Sequence, residues 1–107
     1  DVEAAYQHLV ERGLDPATQV IAYGQSIGSY PTIYAATRHR FLGVVLHSPL
    51  AAGLQVITKL DGCCAPHRVF ACVEPYPNSR LVRRVRDPVF IMHGTADDTV
   101  ECSHGRR

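Results

Sequence analysis

The chain has 107 residues, a length that fits one small folding unit and leaves no room for a second. Hydrophobic residues make up 46% of it and charged residues 20%, which is typical of a globular protein and excludes a disordered tail. With 11 Lys and Arg against 10 Asp and Glu, the formal net charge of +1 predicts no nucleic-acid partner. The longest apolar runs are strand-sized and fall far short of the roughly 20 residues that cross a bilayer, so we expect no transmembrane segment.

The cysteines and the first residue indicate the context of the chain. Cys63, Cys64, Cys72 and Cys102 are too few and too unevenly placed for a disulfide-stapled module, which favours a reducing compartment such as the cytoplasm. The chain begins at Asp1, without an initiator Met or a recognisable targeting segment. We therefore expect it to be part of a longer protein.

The first elements in chain order are a helix and a strand. Apolar residues recur at three- and four-residue spacing over residues 1–12, which predicts an amphipathic helix, and Gly13 is placed to cap its C-terminus. Asp15 and Pro16 predict a turn. The apolar run over residues 19–23 then suits a short buried strand.

Two further strands follow, separated by a segment without clear periodicity. Residues 27–38 are rich in small and apolar side chains and predict a helix packed on a sheet. Residues 42–46 are almost continuously apolar, which predicts a strand covered on both faces. Glycines and prolines interrupt every period over residues 50–80, and we expect an irregular excursion there. A third strand is predicted over residues 89–92.

The order of these elements predicts the fold class. Asn78 and Ser79 are placed to cap a short helix over residues 80–85, just before the third strand. Alternating strands and helices predict an α/β protein with βαβ crossovers and a parallel sheet with flanking helices. Three such strands make a thin domain, so we expect much of the core to lie in sequence outside this chain.

The first chemical motif is the run Gly24-Gln25-Ser26-Ile27-Gly28, a G-x-S-x-G pattern between a predicted strand and a predicted helix. A serine on such a turn is held in a strained conformation that lifts its hydroxyl above the sheet edge, and the flanking glycines avoid collisions with the neighbouring strand and helix. The Ile27 backbone N–H then points to where an oxyanion would form. A bare match also fits a non-catalytic turn, but the strand before it and the helix after it favour a nucleophile elbow.

The second motif is His-Gly-Thr-Ala-Asp at 93–97, at the end of the third predicted strand. An acid there can orient a histidine, although Asp97 in a polar turn that bonds to its own loop is an equally good interpretation of the motif alone. The pair of motifs is more informative. A serine followed by an aspartate, each at the C-terminal end of a parallel strand, matches the first two members of the Ser, Asp, His order of α/β hydrolases.

Several runs together resemble one family. They are Tyr-Gly-Gln-Ser-Ile-Gly at 23–28, Pro-Thr at 31–32, Val-Val-Leu-His-Ser-Pro-Leu at 44–50, His-Gly-Thr-Ala-Asp-Asp at 93–98 and Ser-His-Gly at 103–105. In them the chain resembles the α/β-hydrolase domain-containing protein 17 family and, more distantly, serine aminopeptidases and prolyl-oligopeptidase-like hydrolases. The resemblance implies a partial α/β-hydrolase fold, in which residues 1–107 form the central to C-terminal-middle part of one domain, without its N-terminal strands and its final strand.

The same resemblance implies a function. Members of this family are serine hydrolases that remove palmitoyl thioesters from cysteines of membrane-associated proteins, without a cofactor. By resemblance Ser26 is the nucleophile and Asp97, rather than Asp98, is the acid. The catalytic histidine is expected beyond Arg107 and the second oxyanion donor before Asp1, so the 107 residues alone are expected to be inactive. We expect an acylated protein or a small ester as substrate and a cytoplasmic protein that associates peripherally with membranes.

Two alternatives remain open from the sequence. A serine peptidase of the same fold would use the same triad on amides. A non-catalytic interaction module, either a pseudoenzyme or a truncated product, would have lost the histidine altogether.

The histidines within the chain are expected to support the site rather than to act as its base. His47 and Ser48, at the end of the middle strand, are predicted to line the pocket. His93 precedes the acid turn and is predicted to support the pocket in the same way, with its ring bonded to the backbone, while His104 is predicted to be structural. His39, like two other histidines, shows no partner in the sequence.

Two clusters have simple interpretations. Three cysteines and a histidine over residues 63–72 match no common zinc pattern, so we predict no metal site. Four arginines over residues 80–86 predict a solvated helix face, with contact to anionic lipid headgroups as the alternative.

Overall fold

The computed structural model describes residues 2–51, 76–100 and 102–103. The helices and strands are α1 (Val2–Glu11), α2 (Pro16–Gln19), β1 (Ile21–Gln25), α3 (Ser29–Arg38), β2 (Gly43–His47), α4 (Asn78–Leu81) and β3 (Val89–Met92), with 3₁₀ turns at Ser26–Gly28 and Val82–Arg84. The predicted order of the strands and of their main helices is confirmed. The central part of the predicted excursion, residues 52–75, lies outside the described residues.

The three strands form one parallel sheet in the order β1, β2, β3. In register, Gly24 of β1 faces Leu46 of β2, which in turn faces Ile91 of β3. Parallel strands point the same way, so the residues that follow the three strands meet at one edge of the sheet. This edge, the C-terminal edge, is where both predicted motifs begin.

The core lies between α3 and one face of the sheet. Ile33 and Ala36 of α3 are 2% and 3% exposed, and they pack with Val44 and Leu46 of β2, each 1% exposed. Alternate residues of a strand point to opposite faces, which is why Val44 and Leu46 share the covered side. The helix predicted to pack on a sheet is therefore confirmed.

The other face of the sheet is open in the part of the chain that the structure describes. Ile21 is 57% exposed, Tyr23 54% and Phe90 62%. In the middle strand itself Val44 and Leu46 are buried, whereas Gly43, Val45 and His47 are only partly buried, so the prediction that it is covered on both faces was wrong for the part of the chain that the structure describes. The apolar run at 42–46 correctly predicted that one face is buried, but the sequence pattern alone gives no information about what covers the second face.

Helix α1 is fixed to the end of α3 by a small polar and aromatic cluster. Glu3 lies 3.3 Å from the Arg38 guanidinium and 2.7 Å from His39 Nε2. The hydrogen bond from His39 is the main cause that lowers the pKa of Glu3. The His39 ring stacks on Tyr6 at 3.9 Å between ring centroids. The expectation that His39 has no partner was wrong, because its partners are distant in sequence.

Two local predictions differ from the structure at the first strand. The turn predicted at Asp15 and Pro16 is the start of a short helix, α2, in which Asp15 is the N-cap and accepts a hydrogen bond from the Ala17 N–H at 3.2 Å. The strand that follows begins two residues later than predicted, at Ile21. The predicted cap at Gly13 is confirmed by its φ of +82°, a left-handed conformation that glycine adopts without strain.

The predicted capping role of Asn78 was wrong. Helix α4 begins at Asn78 itself, its N-cap is Pro77, and that cap makes no side-chain hydrogen bond. The Asn78 side chain is 2% exposed and points into the protein instead. Its partners are the Ser29 hydroxyl, next to the turn at the end of β1, and the Leu50 carbonyl.

Candidate active site

Ser26 occupies a strained turn at the end of β1. Its φ is +50°, and among the described residues only Ser26 and Ser48 combine a positive φ with a side chain. Such a conformation costs energy in a residue other than glycine and is found where surrounding structure enforces it, often at functional sites. A 3₁₀ turn at Ser26–Gly28 then leads directly into α3. The backbone shape predicted for a nucleophile elbow is therefore present.

The two glycines of the motif differ in whether the surrounding structure leaves room for a side chain. A Cβ added at Gly24 would lie 2.5 Å from Thr32 Oγ1 and 2.7 Å from the Gly28 carbonyl oxygen. The predicted collision is confirmed for Gly24. A Cβ added at Gly28 would meet nothing within 4 Å, and its φ of −64° suits any residue, so the prediction was wrong there. Gly28 contributes its carbonyl, which accepts the Thr32 hydroxyl at 2.9 Å.

Gln25 and Ile27 flank the serine in exposed positions. Gln25 is the last residue of β1 and faces His47 in register. The Ile27 side chain is 58% exposed. Because Ile27 lies in the first turn after the strand, its backbone N–H has no partner within that turn. The residue thus has the backbone position expected of an oxyanion donor, and that role stays a prediction.

Asp97 is held in a turn five residues after the end of β3. Its Oδ1 accepts hydrogen bonds from the Thr99 N–H at 3.1 Å and from the Val100 N–H at 2.9 Å. This is the loop-bonding aspartate that the sequence left open as an alternative. The two interpretations are compatible, because these bonds occupy one carboxylate oxygen and fix the orientation of the group.

The surroundings of Asp97 favour its charged form. The backbone N–H of Val100, the Ser48 hydroxyl and the Thr99 N–H all donate toward the carboxylate and lower its pKa. Hydrogen bonds to a charged carboxylate stabilise it against protonation. Asp97 is therefore an anion at neutral pH, which is what an acid that orients an imidazole must be.

Ser48 connects the end of the middle strand to the strand and the loop of the acid. It follows β2, the strand between β1 and β3, and its backbone N–H donates to the Met92 carbonyl at 2.8 Å. Its φ of +45° is the second strained value. Asp98, by contrast, is exposed and lies 3.3 Å from the Thr99 hydroxyl. These contacts favour Asp97 over Asp98 as the acid.

His93 is bonded to the backbone, as predicted. Its Nε2 lies 2.6 Å from the Val100 carbonyl oxygen and 3.8 Å from Asp97 Oδ2, and the side chain is 5% exposed. A ring nitrogen this close to a carbonyl oxygen carries the proton and donates it. Nε2 is thus engaged and is not placed to act as a general base toward Ser26.

His47 contacts a different part of the sheet. Its Nδ1 lies 2.8 Å from the Tyr23 hydroxyl, and both side chains lie on the open face. Whether His47 lines a substrate pocket stays a prediction. His104 lies outside the described residues.

The topology brings Ser26 and Asp97 to the same edge of the sheet. Ser26 directly follows β1, Asp97 follows β3, and only β2 lies between these parallel strands. Strands two apart are separated by about 10 Å. An imidazole with a hydrogen bond of about 2.8 Å on each side spans a comparable distance, about 8 Å. That one histidine entering at this edge reaches both groups stays a prediction.

The described residues contain neither a metal-binding cluster nor a membrane-spanning helix. No group of three or more His, Cys, Asp or Glu side chains that could hold a metal ion is found in them. The segment of three cysteines and one histidine over residues 63–72 lies outside them. None of the helices in the described ranges is long and apolar enough to cross a membrane.

The chain has relatives among known proteins. No protein-family model matches the chain. Curated relatives do match: mouse α/β-hydrolase domain-containing protein 17C is 39% identical over 106 residues, which cover 98% of this chain and 31% of the relative. The Xenopus tropicalis 17C protein is 40% identical and the human 17B protein 38% identical, over 32% and 34% of their lengths.

The chain is related to the α/β-hydrolase domain-containing protein 17 family. The resemblance read from the sequence is thereby confirmed, and the three-stranded parallel sheet with its flanking helices is a partial α/β-hydrolase fold. The chain spans about a third of the length of the curated relatives that it matches.

Sequence reasoning missed two residues beside the elbow, Ser29 and Asn78. Ser29 is fully buried at the start of α3, three residues after Ser26. A second serine at this spacing was a signal, since hydroxyls near a helix start often bond to a carbonyl three or four residues earlier. Asn78 gave no usable signal, because a polar residue before a short helix resembles an ordinary cap.

Proposed function

We propose that this chain carries the nucleophile and the acid of a serine hydrolase that cleaves acyl esters and thioesters, with Ser26 as nucleophile and Asp97 as acid. The observation that carries the proposal is the strained φ of Ser26, at the same sheet edge as a carboxylate whose pKa is lowered by directed hydrogen bonds. Strain and a perturbed carboxylate at one edge are typical of catalytic sites.

The base in this proposal is a histidine from outside the chain. Its imidazole takes the proton of the Ser26 hydroxyl, while Asp97 fixes its tautomer and stabilises the imidazolium. The Ser26 oxygen forms a bond to the substrate carbonyl carbon, and the carbonyl oxygen becomes an oxyanion that accepts a hydrogen bond from the Ile27 N–H.

Collapse of this intermediate completes the acyl transfer. The bond between the carbonyl carbon and the leaving sulfur or oxygen breaks, and the leaving group receives the proton from the imidazolium. Water, deprotonated by the same imidazole, then attacks the acyl-enzyme. It releases a carboxylic acid and restores the Ser26 hydroxyl.

For the substrate we propose a protein palmitoyl thioester, with a small ester as a surrogate. This class comes from the family resemblance. We further propose a cytoplasmic enzyme that meets its substrates at membranes through peripheral contact. The arginines of the segment 80–86 support this, because they are exposed and no acidic residue occurs between Tyr76 and Arg86.

A substrate panel tests the proposal on the full-length protein. Acyl-thioester, ester and aminoacyl-amide substrates are compared for the wild type and Ser26→Ala, with Asp98→Asn as a control for the loss of an exposed group near the acid. We expect thioester and ester turnover that Ser26→Ala abolishes and Asp98→Asn leaves intact. Preference for aminoacyl amides would indicate the peptidase alternative, and absence of all turnover the non-catalytic module.

A further inference from the structure

A buried hydrogen-bond network lies beneath the elbow. The Ser29 hydroxyl donates to the Ser26 carbonyl at 2.6 Å, and Ser29 is 0% exposed. The same hydroxyl oxygen accepts hydrogen bonds from the Asn78 side-chain amide at 2.9 Å and from the Leu50 N–H at 3.3 Å. One donor and two acceptor positions are all that a serine hydroxyl offers, so this group is fully used.

Asn78 fixes the far end of the network. Its Nδ2 donates to Ser29 Oγ and also to the Leu50 carbonyl at 2.8 Å, which uses both amide hydrogens. Its Oδ1 is buried and has no hydrogen-bond partner in the described part of the chain. An unpaired buried acceptor costs stability, so the position of the Asn78 side chain is explained by the two hydrogen bonds that its amide donates.

The carbonyl that this network holds belongs to the peptide unit of the expected oxyanion donor. The Ser26 C=O and the Ile27 N–H are the two ends of one planar trans peptide, so they point in opposite directions. The Ser26 carbonyl accepts the backbone N–H of Ser29 as well as its hydroxyl. Together these two bonds turn the Ile27 N–H away from the network, toward the side where substrate would lie.

We propose that Ser29 and Asn78 are positioning residues: they lock the peptide plane between Ser26 and Ile27 so that its N–H stays aimed at the developing oxyanion. Asn78 holds the Ser29 hydroxyl in the rotamer that donates to the Ser26 carbonyl. Through that bond the Ser29 hydroxyl fixes the orientation of the peptide plane. The role rests on the function proposed above. It predicts an effect on the chemical step rather than on substrate binding.

The test uses the full-length hydrolase and the variants Ser29→Ala, Asn78→Asp and the double Ser29→Ala/Asn78→Asp. Asn78→Asp keeps the shape of the side chain but replaces its two donors with an acceptor. We expect each single variant to lower kcat at least about tenfold with KM changed less than about twofold. The rate at which a fluorophosphonate labels Ser26, corrected for the folded fraction from circular dichroism, should fall in parallel. The double variant should be no slower than Ser29→Ala, because Asn78 acts through Ser29.

Two further variants keep the test informative if the buried changes also weaken the fold. Ser29→Cys fills nearly the same space with a weaker donor, and its kcat should lie between those of the wild type and Ser29→Ala. Ser79→Ala is the matched control, since Ser79 adjoins Asn78 but makes no side-chain hydrogen bond among the described residues, and we expect wild-type kcat.

The outcomes separate this proposal from the function on which it rests. The variants could unfold at lower temperature and yet keep wild-type kcat and wild-type labelling per folded molecule. That result would show that the network has only a structural role and would overturn the proposal. The same would follow if Ser29→Cys were as slow as Ser29→Ala. If instead Ser26→Ala retained full activity, the proposed function itself would fail.

Discussion

The elbow and the acid loop occupy the same sheet edge but are held in different ways. At the elbow, Gly24 packs against Thr32 with no room for a side chain. The buried Asn78 side chain, 49 residues after Ser29 in the sequence, donates a hydrogen bond to the Ser29 hydroxyl. The acid loop is held mostly by its own backbone, through hydrogen bonds from residues two and three positions after Asp97. The nucleophile thus depends on tertiary packing and the acid on a local turn.

This difference determines how each region responds to mutation. Changes at the elbow should affect stability and chemistry together, because the same buried contacts serve both. Changes at the acid should affect chemistry far more than stability, since the hydrogen bonds of the acid are confined to a local turn outside the core. Variants in each region test that separation.

Asp97→Asn should give the largest loss of activity with little change in fold. An amide in place of the carboxylate favours the wrong tautomer of the bridging histidine, and we expect kcat to fall by about 10,000-fold. Steady-state hydrolysis of an acyl thioester by the full-length protein measures this. Asp98→Asn serves as the control and should stay near the wild-type rate. A comparable loss in that control would transfer the acid role to Asp98.

Gly24→Ala should impair stability and activity together. The new methyl group would overlap Thr32 and the Gly28 carbonyl, and overpacking of this kind costs about 1–3 kcal/mol. Urea unfolding measures the loss, and kcat should fall as the elbow shifts. Gly28→Ala is the matched control, because a Cβ there meets nothing within 4 Å, and it should leave stability within about 1 kcal/mol of the wild type. Equal losses in both variants would refute the steric account.

Ser48→Gly and Ser48→Ala should have a moderate effect on the acid. Both remove the hydroxyl that helps to lower the pKa of Asp97, and only Gly also relieves the strain at φ +45°. We expect both to lower kcat by roughly tenfold, the effect of about one hydrogen bond to a charged group, and to raise the pKa of Asp97. Wild-type kcat in both variants would contradict a role for the hydroxyl.

The pH dependence of stability should show the smallest effect. A carboxyl whose pKa is lowered by folding stabilises the protein above its ordinary pKa and loses that contribution as the pH falls through the folded value. For Asp97 the ordinary value is 3.8, so the wild type should exceed Asp97→Asn in stability by a constant margin at neutral pH. The margin should shrink as the pH falls below 3.8. Unfolding of both proteins across this range checks it, and a margin that grew in acid would contradict the sign.

The sequence predicted the local features of both regions but not their long-range supports. The elbow followed from G-x-S-x-G between a strand and a helix, and the bounds of β3 were predicted residue for residue because its apolar run has clear flanks. Asn78 was misread as a cap, since nothing local distinguishes a capping amide from one that reaches a distant hydroxyl. A side chain was predicted to collide at both Gly24 and Gly28, but only Gly24 lacks the space for one. A sequence motif gives the residue types at its positions and not the contacts that they make.

The site of covalent modification in the full-length protein tests directly whether Ser26 is the nucleophile. A fluorophosphonate probe is added to the wild type and to Ser26→Ala, and the adduct is mapped by mass spectrometry of the digested protein. A single adduct on the peptide that contains Ser26, absent from Ser26→Ala, is the result expected of an activated nucleophile at this elbow. An adduct on another residue, or labelling that persists in Ser26→Ala, would contradict the account.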